Sequence, residues 1–282
     1  MENPDVTGKT RAPGASAVAG GLEFSKAHGA GNDFILIGGP FAPAGLAVLA
    51  RELCGRRKGI GADGLVVITR MEAPAAYDVR CLNADGSEAT MCGNALRCAA
   101  LSVALDHGHT EVGLHMAGAW HRGAVHGGVV AVTAAAGPVV SAAATIGYDG
   151  RSLEFDSVHT GTEHVIAFVP DVESVSVDAF GRRVRYHERF APLGTNVSFV
   201  QAVGPGRLRV RTYERGVEAE TLSCGSGAVA AVVAARARGL AGDGAVTVEN
   251  RAREPLTVWP EGGGKGTFWV SGPAVIVFRG GI

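Results

Sequence analysis

The chain has 282 residues, 46% of them hydrophobic and 19% charged, with a formal net charge of -1. That balance fits a globular protein of about two domains with real cores, and it offers no basic field for nucleic acid or another polyanion. Five cysteines (Cys54, Cys81, Cys92, Cys98 and Cys224) form no CxxC pair, which argues against a disulfide framework or a structural zinc site and for a reducing cytoplasm.

Residues 1–21 mix charge, Pro, Gly and Ala without an apolar segment, and read as a loose N-terminal extension rather than a signal peptide. Residues 24–37 then read as strand, polar glycine loop and strand, the glycines permitting close backbone approach to a ligand. A helix follows over about 44–54. Gly59 to Gly64 formally matches Gly-x-Gly-x-x-Gly, but a strand comes next instead of a helix, so a dinucleotide site is excluded by context. A short strand at 77–82 leads into the turn-rich run Asn83-Ala84-Asp85-Gly86-Ser87. Cys92-Gly93-Asn94 then opens a helix over about 94–106. Strands are expected at 113–116 and 128–133. The span 123–148 lacks Asp, Glu, Lys and Arg. It is nonetheless rich in Ala, Gly, Val and Thr and broken at Gly137-Pro138, so strands with a turn fit better than a membrane helix.

The second half repeats this plan. A polar glycine loop at 158–164 runs into a strand ending near residue 169. A polar stretch over 171–189 contains a helix, and strands follow at 194–200 and 207–213. Glu214-Arg215-Gly216 turns the chain toward Thr221-Leu222-Ser223-Cys224-Gly225-Ser226-Gly227, which opens an alanine- and valine-rich helix. The tail from 245 to 278 reads as strands between glycine-rich turns.

Two cysteines thus stand at two helix starts, each followed by Gly and a small polar residue. Free N–H groups and the positive dipole end at such a start favour a thiolate and bind anions. A cleft between the two halves would let the cysteines face each other. Inverting a carbon needs a base on one face and an acid on the other, and a thiolate/thiol pair serves both roles near neutral pH. The chemistry expected is proton abstraction α to a carboxylate. A single-cysteine nucleophile enzyme and a silent amino-acid-binding protein are the competing classes. The duplicated motif argues against the first; exchange with solvent deuterium would exclude the second. Cys54, Cys81 and Cys98 read as small buried hydrophobes.

The motifs FSKAHGAGNDF at 24–34, GIGADG at 59–64, NADGSEATMCGNALRC at 83–98, GTNVSFV at 194–200 and RTYERGVEAETLSCGSGA at 211–228 resemble the diaminopimelate epimerase family. The resemblance implies an α/β (α+β) fold of two pseudo-symmetric halves, each a strand-rich layer around a central helix. It implies domains at 22–136 plus 272–282 and at 137–271, and a homodimer. The implied activity is interconversion of LL- and meso-diaminopimelate, a step toward lysine and peptidoglycan, without pyridoxal phosphate, metal or other cofactor. Neither a membrane nor a nucleic-acid partner is implied. Cys92 and Cys224 would be the acid/base pair, with His164 assisting Cys92 and Glu214 assisting Cys224. The amides of Gly93, Asn94, Gly225 and Ser226 would hold the α-carboxylate, with Asn32 at the same end. Asn83, Asn196, Glu214 and Arg215 would hold the distal end. The chain departs from the family pattern at Thr162-Glu163, where Asn-Pro or Ser-Pro is common, and at Leu82 and Ala95. Relatives of this fold racemise other amino acids, including O-ureidoserine and histidine, and the departures keep such a substrate as the alternative.

Overall fold

In the computed structural model, residues 21–262 and 266–282 are described. The extension expected over residues 1–21 lies outside them, save for Gly21. The first half of the chain runs β1 (Glu23–Gly29), β2 (Asn32–Gly38), α1 (Pro43–Cys54), β3 (Gly64–Arg70), β4 (Ala76–Asn83), α2 (Gly93–His107), β5 (Glu111–Met116), β6 (Ala119–His126) and β7 (Val129–Ala135). The second runs β8 (Val140–Tyr148), β9 (Arg151–His159), β10 (Glu163–Phe168), α3 (Val177–Arg185), β11 (Asn196–Gly204), β12 (Arg207–Glu214), β13 (Ala219–Thr221), α4 (Gly225–Ala237), β14 (Val246–Glu249), β15 (Leu256–Pro260), β16 (Thr267–Gly272) and β17 (Val275–Gly281). Single 3-10 turns at Val172–Ser174 and Glu188–Phe190 flank α3. The 123–148 span forms strands, and no helix among the described residues is long and apolar enough to cross a membrane.

The strand pairings reveal a repeat. One series is β17-β1-β2-β3-β4-β5-β6-β7. The other is β8-β9-β10-β11-β12-β14-β15-β16. The third and fifth pairings in each series are parallel and the rest antiparallel. The final strand pairs with the first, and β7 pairs antiparallel with β16, joining the two series into one continuous sheet. Helices fall at matching points: α1 and α3 before a parallel partner, and α2 and α4 in the longer crossover that the next parallel pairing requires.

The hydrophobic pattern explains the layers. The run Phe34-Ile35-Leu36-Ile37 is apolar on both faces. Phe34 and Leu36 face the core containing α2, while Ile35 and Ile37 face α1. In the second half Ile166 and Val200 face the core of α4, while Val165, Val197 and Phe199 pack under α3 with Phe180. Strands covered on both faces read as unbroken apolar runs, as these do. The central helices are buried on nearly every side over their first turns, as a helix wrapped by sheet is. Ala95, Ala99, Ala100, Ala230, Ala231 and Ala234 are fully buried, and their small side chains let the sheet close around the helices.

Candidate active site

The polar turn before each central helix ends on a cysteine. Cys92 is the N-cap of α2 (φ -145°, ψ 98°) and Cys224 the N-cap of α4 (φ -118°, ψ 108°). The two helices meet end to end. A Cβ built on Gly93 would lie 3.8 Å from the Gly225 Cα, and one built on Gly225 would lie 3.7 Å from the Gly93 Cα. Glycine at both positions brings two sets of unpaired helix N–H groups to one place, the arrangement that binds an anion.

Asn94, buried in the first turn of α2, ties this junction together. Its Nδ2 donates to Asn32 Oδ1 and to the Ser223 carbonyl, both at 3.2 Å, and its Oδ1 accepts from Arg97 at 2.7 Å. Asn32 in turn donates to Asp63 at 2.9 Å. The glycine loop between β1 and β2 and the Gly59-to-Gly64 loop therefore serve the same corner. Backbone N–H groups of Asp33 and Asp63 each donate to the other's carboxylate, which fixes one loop against the other.

The two thiols sit in unequal surroundings. The neighbouring Cys81 thiol, reinforced by the Ala95 backbone N–H, holds Cys92 below the ordinary thiol value, and these effects outweigh its desolvation. Burial pushes Cys224 well above that value, and the Glu214 carboxylate pushes it further. Its sulfur accepts from the Gly227 N–H at 3.3 Å and lies 3.5 Å from Ser226 Oγ. Burial also raises Glu214, although Thr221 donates to its carboxylate. One site thus favours thiolate and the other thiol.

His164 is fully buried on β10. The resemblance implies a place beside Cys92; among the described residues its hydrogen bond goes to Ser226 Oγ, at 3.0 Å, on the Cys224 side. His164 shares its face of β10 with Ile166, which packs in the core of α4. Burial drives its imidazole down to about 3, so the ring is neutral throughout the working range.

A cleft of about 900 Å³ opens between the halves, lined by Asn32, Asn83, Cys92, Asn196, Glu214, Arg215 and Ser226, together with Thr162 and Cys81. Gly93, Asn94, Gly225 and His164 lie behind this surface, and Cys224 borders a small void of about 10 Å³ next to it, shared with Thr221 and Ser223. Elsewhere in the cleft lining, Asn196 accepts from the Arg215 backbone N–H at 2.9 Å and donates to the Glu163 carbonyl at 2.9 Å. Arg215 Nη2 donates to Thr162 Oγ1 at 2.8 Å. Asn83 donates to Ser87 at 2.9 Å.

Three residues with parts in this geometry escape a sequence reading. Cys81 is buried, as a small hydrophobe would be, yet it also neighbours Cys92. Thr162 stands out in the sequence only as a departure from a pattern. Arg97 carried no signal except its place within the cysteine motif.

Comparison with known proteins gives a consistent picture. The family model described as Diaminopimelate epimerase matches residues 24–140 and 157–276. The diaminopimelate epimerase of Methanocella arvoryzae is 37% identical, over 93% of this chain and 96% of its own. That of Thioalkalivibrio sulfidiphilus is 37% identical, over 93% and 99%, and that of Aquifex aeolicus 36%, over 84% and 89%. Among solved structures, a hydroxyproline epimerase from Agrobacterium vitis with bound trans-4-hydroxy-L-proline superposes with a TM-score of 0.69 at 16% identity, covering 93% of this chain and 90% of that one. A PhzF-family phenazine biosynthesis protein from Enterococcus faecalis gives 0.69 at 12% identity, covering 93% and 99%. At such identities these two likenesses speak to the fold alone.

Proposed function

The chain belongs to the diaminopimelate epimerase family, and from that premise we propose that it interconverts LL- and meso-diaminopimelate through Cys92 and Cys224. The observation that carries this reading is the end-to-end meeting of two cysteine-capped helices at Gly93 and Gly225. The α-carboxylate lies across the N–H groups of Gly93, Asn94, Gly225 and Ser226, with Asn32 completing that end. The Cys92 thiolate removes the α-proton from one face. Charge builds up on the carboxylate, where two helix N-termini stabilise it. The Cys224 thiol then delivers its proton to the opposite face, leaving a thiol at Cys92 and a thiolate at Cys224. The reverse reaction exchanges these roles. No electron-sink cofactor enters the scheme.

Glu214 beside Cys224 favours the protonated thiol at the start of the cycle and takes part in returning the pair to that state. His164, neutral and bonded to Ser226, orients the first turn of α4 and so assists from the Cys224 side. Asn83, Asn196, Glu214 and Arg215 hold the distal amino-acid end, with Thr162 bracing Arg215. The parts act as domains 22–136 with 272–282 and 137–271, the substrate closing between them. The edge of β17 away from β1, where Val275, Val277 and Phe278 are exposed, supports a homodimer. A reducing cytoplasm suits a pair of thiols that must both stay free.

The test is proton exchange at Cα in D₂O, followed by NMR, with LL-diaminopimelate, meso-diaminopimelate, O-ureidoserine and histidine and no added cofactor. Exchange and inversion are expected with the two diaminopimelates. Exchange confined to O-ureidoserine or histidine would overturn the assignment in favour of a racemase of that amino acid.

A further inference from the structure

Arg97 lies directly beneath the junction of the two helices. Its side chain is fully buried. It belongs to no ion pair among the described residues, and its Nε and Nη1 have no hydrogen-bond partner. Only Nη2 is engaged, with Asn94 Oδ1. A Cβ on Gly225 would come 3.8 Å from Nη1, one on Gly93 4.0 Å from the same atom, and one on Gly272 3.4 Å from Cζ. The guanidinium therefore lies against all three glycines, at ordinary contact distance from Cβ atoms built on them.

A buried cation without an anion is costly. Its position raises that cost, because the N-termini of α2 and α4 carry partial positive charge of the same sign. Three positive sources converge on this corner; the negative groups near them are the Cys92 thiolate and the Glu214 carboxylate of β12, which faces Cys92, and neither is hydrogen-bonded to Arg97 among the described residues. Such an arrangement is completed by an anion from outside. We propose that Arg97 is the buried counter-charge of the carboxylate pocket, acting on the substrate through Asn94 and through its field. The inference rests on the function proposed above and names a residue that function does not use. Arg97 is a positioning residue: Nη2 fixes Asn94, and the unpaired Nη1 adds attraction as the substrate carboxylate gains charge during proton removal. Because that charge is greatest in the transition state, the effect falls on kcat more than on KM.

R97M and R97K separate charge from packing. R97M is expected to fold and, without ligand, to melt at or above the wild-type temperature, since the unpaired charge is gone. Its kcat for Cα exchange of meso-diaminopimelate in D₂O should drop about 100-fold, with KM changed by no more than about threefold. R97K should recover about tenfold of that loss. Wild-type kcat in R97M overturns the proposal. So does an equal loss in R97K, which would assign the effect to shape, or failure of R97M to fold, which would give the charge a structural role in the free protein.

Should wild-type protein exchange nothing from meso-diaminopimelate, the function reading falls, and Arg97 is then judged on ligand-free protein. Cys92 is faced by Cys81, Glu214 and Arg97. Its alkylation by iodoacetamide at pH 7, located by peptide mapping, should be several-fold slower in R97M and restored in R97K. Equal rates in all three proteins would refute the counter-charge.

Discussion

Replacing Thr162 by valine removes one hydroxyl without changing the side-chain volume or branching. Thr162 Oγ1 accepts from Arg215 Nη2 at 2.8 Å and, less closely, from Asn196 Nδ2 at 3.4 Å. Both donors belong to residues that line the cleft and that the proposed function assigns to the distal end of the substrate. A hydrogen bond from a charged donor contributes about 1.5–3 kcal/mol. Thr162 is only partly buried, so solvent can replace part of the loss, and about 1.5–2 kcal/mol is the reasonable share. If that share is spent on holding Arg215 for the substrate's second amino-acid end, KM rises about 10–30-fold. The hydroxyl is not among the groups that act on either thiol, so kcat should change by less than about threefold. T162S keeps the oxygen and should keep most of the affinity. The assay is initial-rate exchange in D₂O over a range of LL-diaminopimelate concentrations, run on wild type, T162V and T162S. A fall in kcat at constant KM, or the same KM in T162V and wild type, would refute the assignment of Thr162 as the brace of Arg215.

Cys92→Ala removes one of the two acid/base groups, and exchange at Cα should fall by at least about 10³-fold; NMR in D₂O reads it, and full turnover by the variant would end the two-thiol mechanism. Cys92 must be deprotonated to act as base, and its thiol is held low chiefly by Cys81. In Cys81→Ala that support is lost, the Cys92 value rises, and the acid limb of kcat/KM moves to higher pH. The rate should therefore drop most below neutrality and little at alkaline pH, whereas an unmoved acid limb would contradict the role of Cys81. Gly181 packs α3 onto β12 so closely that an added Cβ would stand 2.5 Å from the Tyr213 Cβ. Gly181→Ala should thus cost about 1–3 kcal/mol by overpacking, more than alanine's helix preference of about 1 kcal/mol returns; urea unfolding that shows a more stable variant would disprove this packing.

Much of the architecture was legible because the chain alternates between strong local signals. The alanine-rich runs after Cys92 and Cys224 place two central helices, which extend over Gly93–His107 and Gly225–Ala237. Runs such as Phe34 to Ile37 declare strands covered on both faces. Less legible were β6, β8 and β9, whose exposed or small residues, as in Ser141-Ala142-Ala143-Ala144, carry little periodicity. The order of the strands was beyond composition, because the pairing of β17 with β1 spans the whole chain. Within the site, Cys92 and Cys224 were visible through their repeated context. The partner of His164 was not, since the facing of β10 decides whether a side chain points toward α3 or α4. Arg97 looked like an ordinary helical arginine, because full burial with two unpartnered nitrogens is a property of the assembled fold.

The repeat explains both what the site shares and where its halves differ. Duplicating one strand-and-helix unit and joining the copies through β7 and β16 sets α2 and α4 N-terminus to N-terminus. A symmetric site would hold two equivalent thiols, each about equally inclined to ionise, and the starting state would then be divided between them. The added residues remove that equivalence. On one side stands Cys81, a hydrogen-bonding neighbour that stabilises a thiolate. On the other stands Glu214, a carboxylate that opposes one, with His164 reaching the same corner through Ser226. Each change is small and lies outside the repeated motif. In the proposed mechanism they bias one proton to reside on Cys224 before substrate arrives, ready to be given to the face opposite the one Cys92 deprotonates.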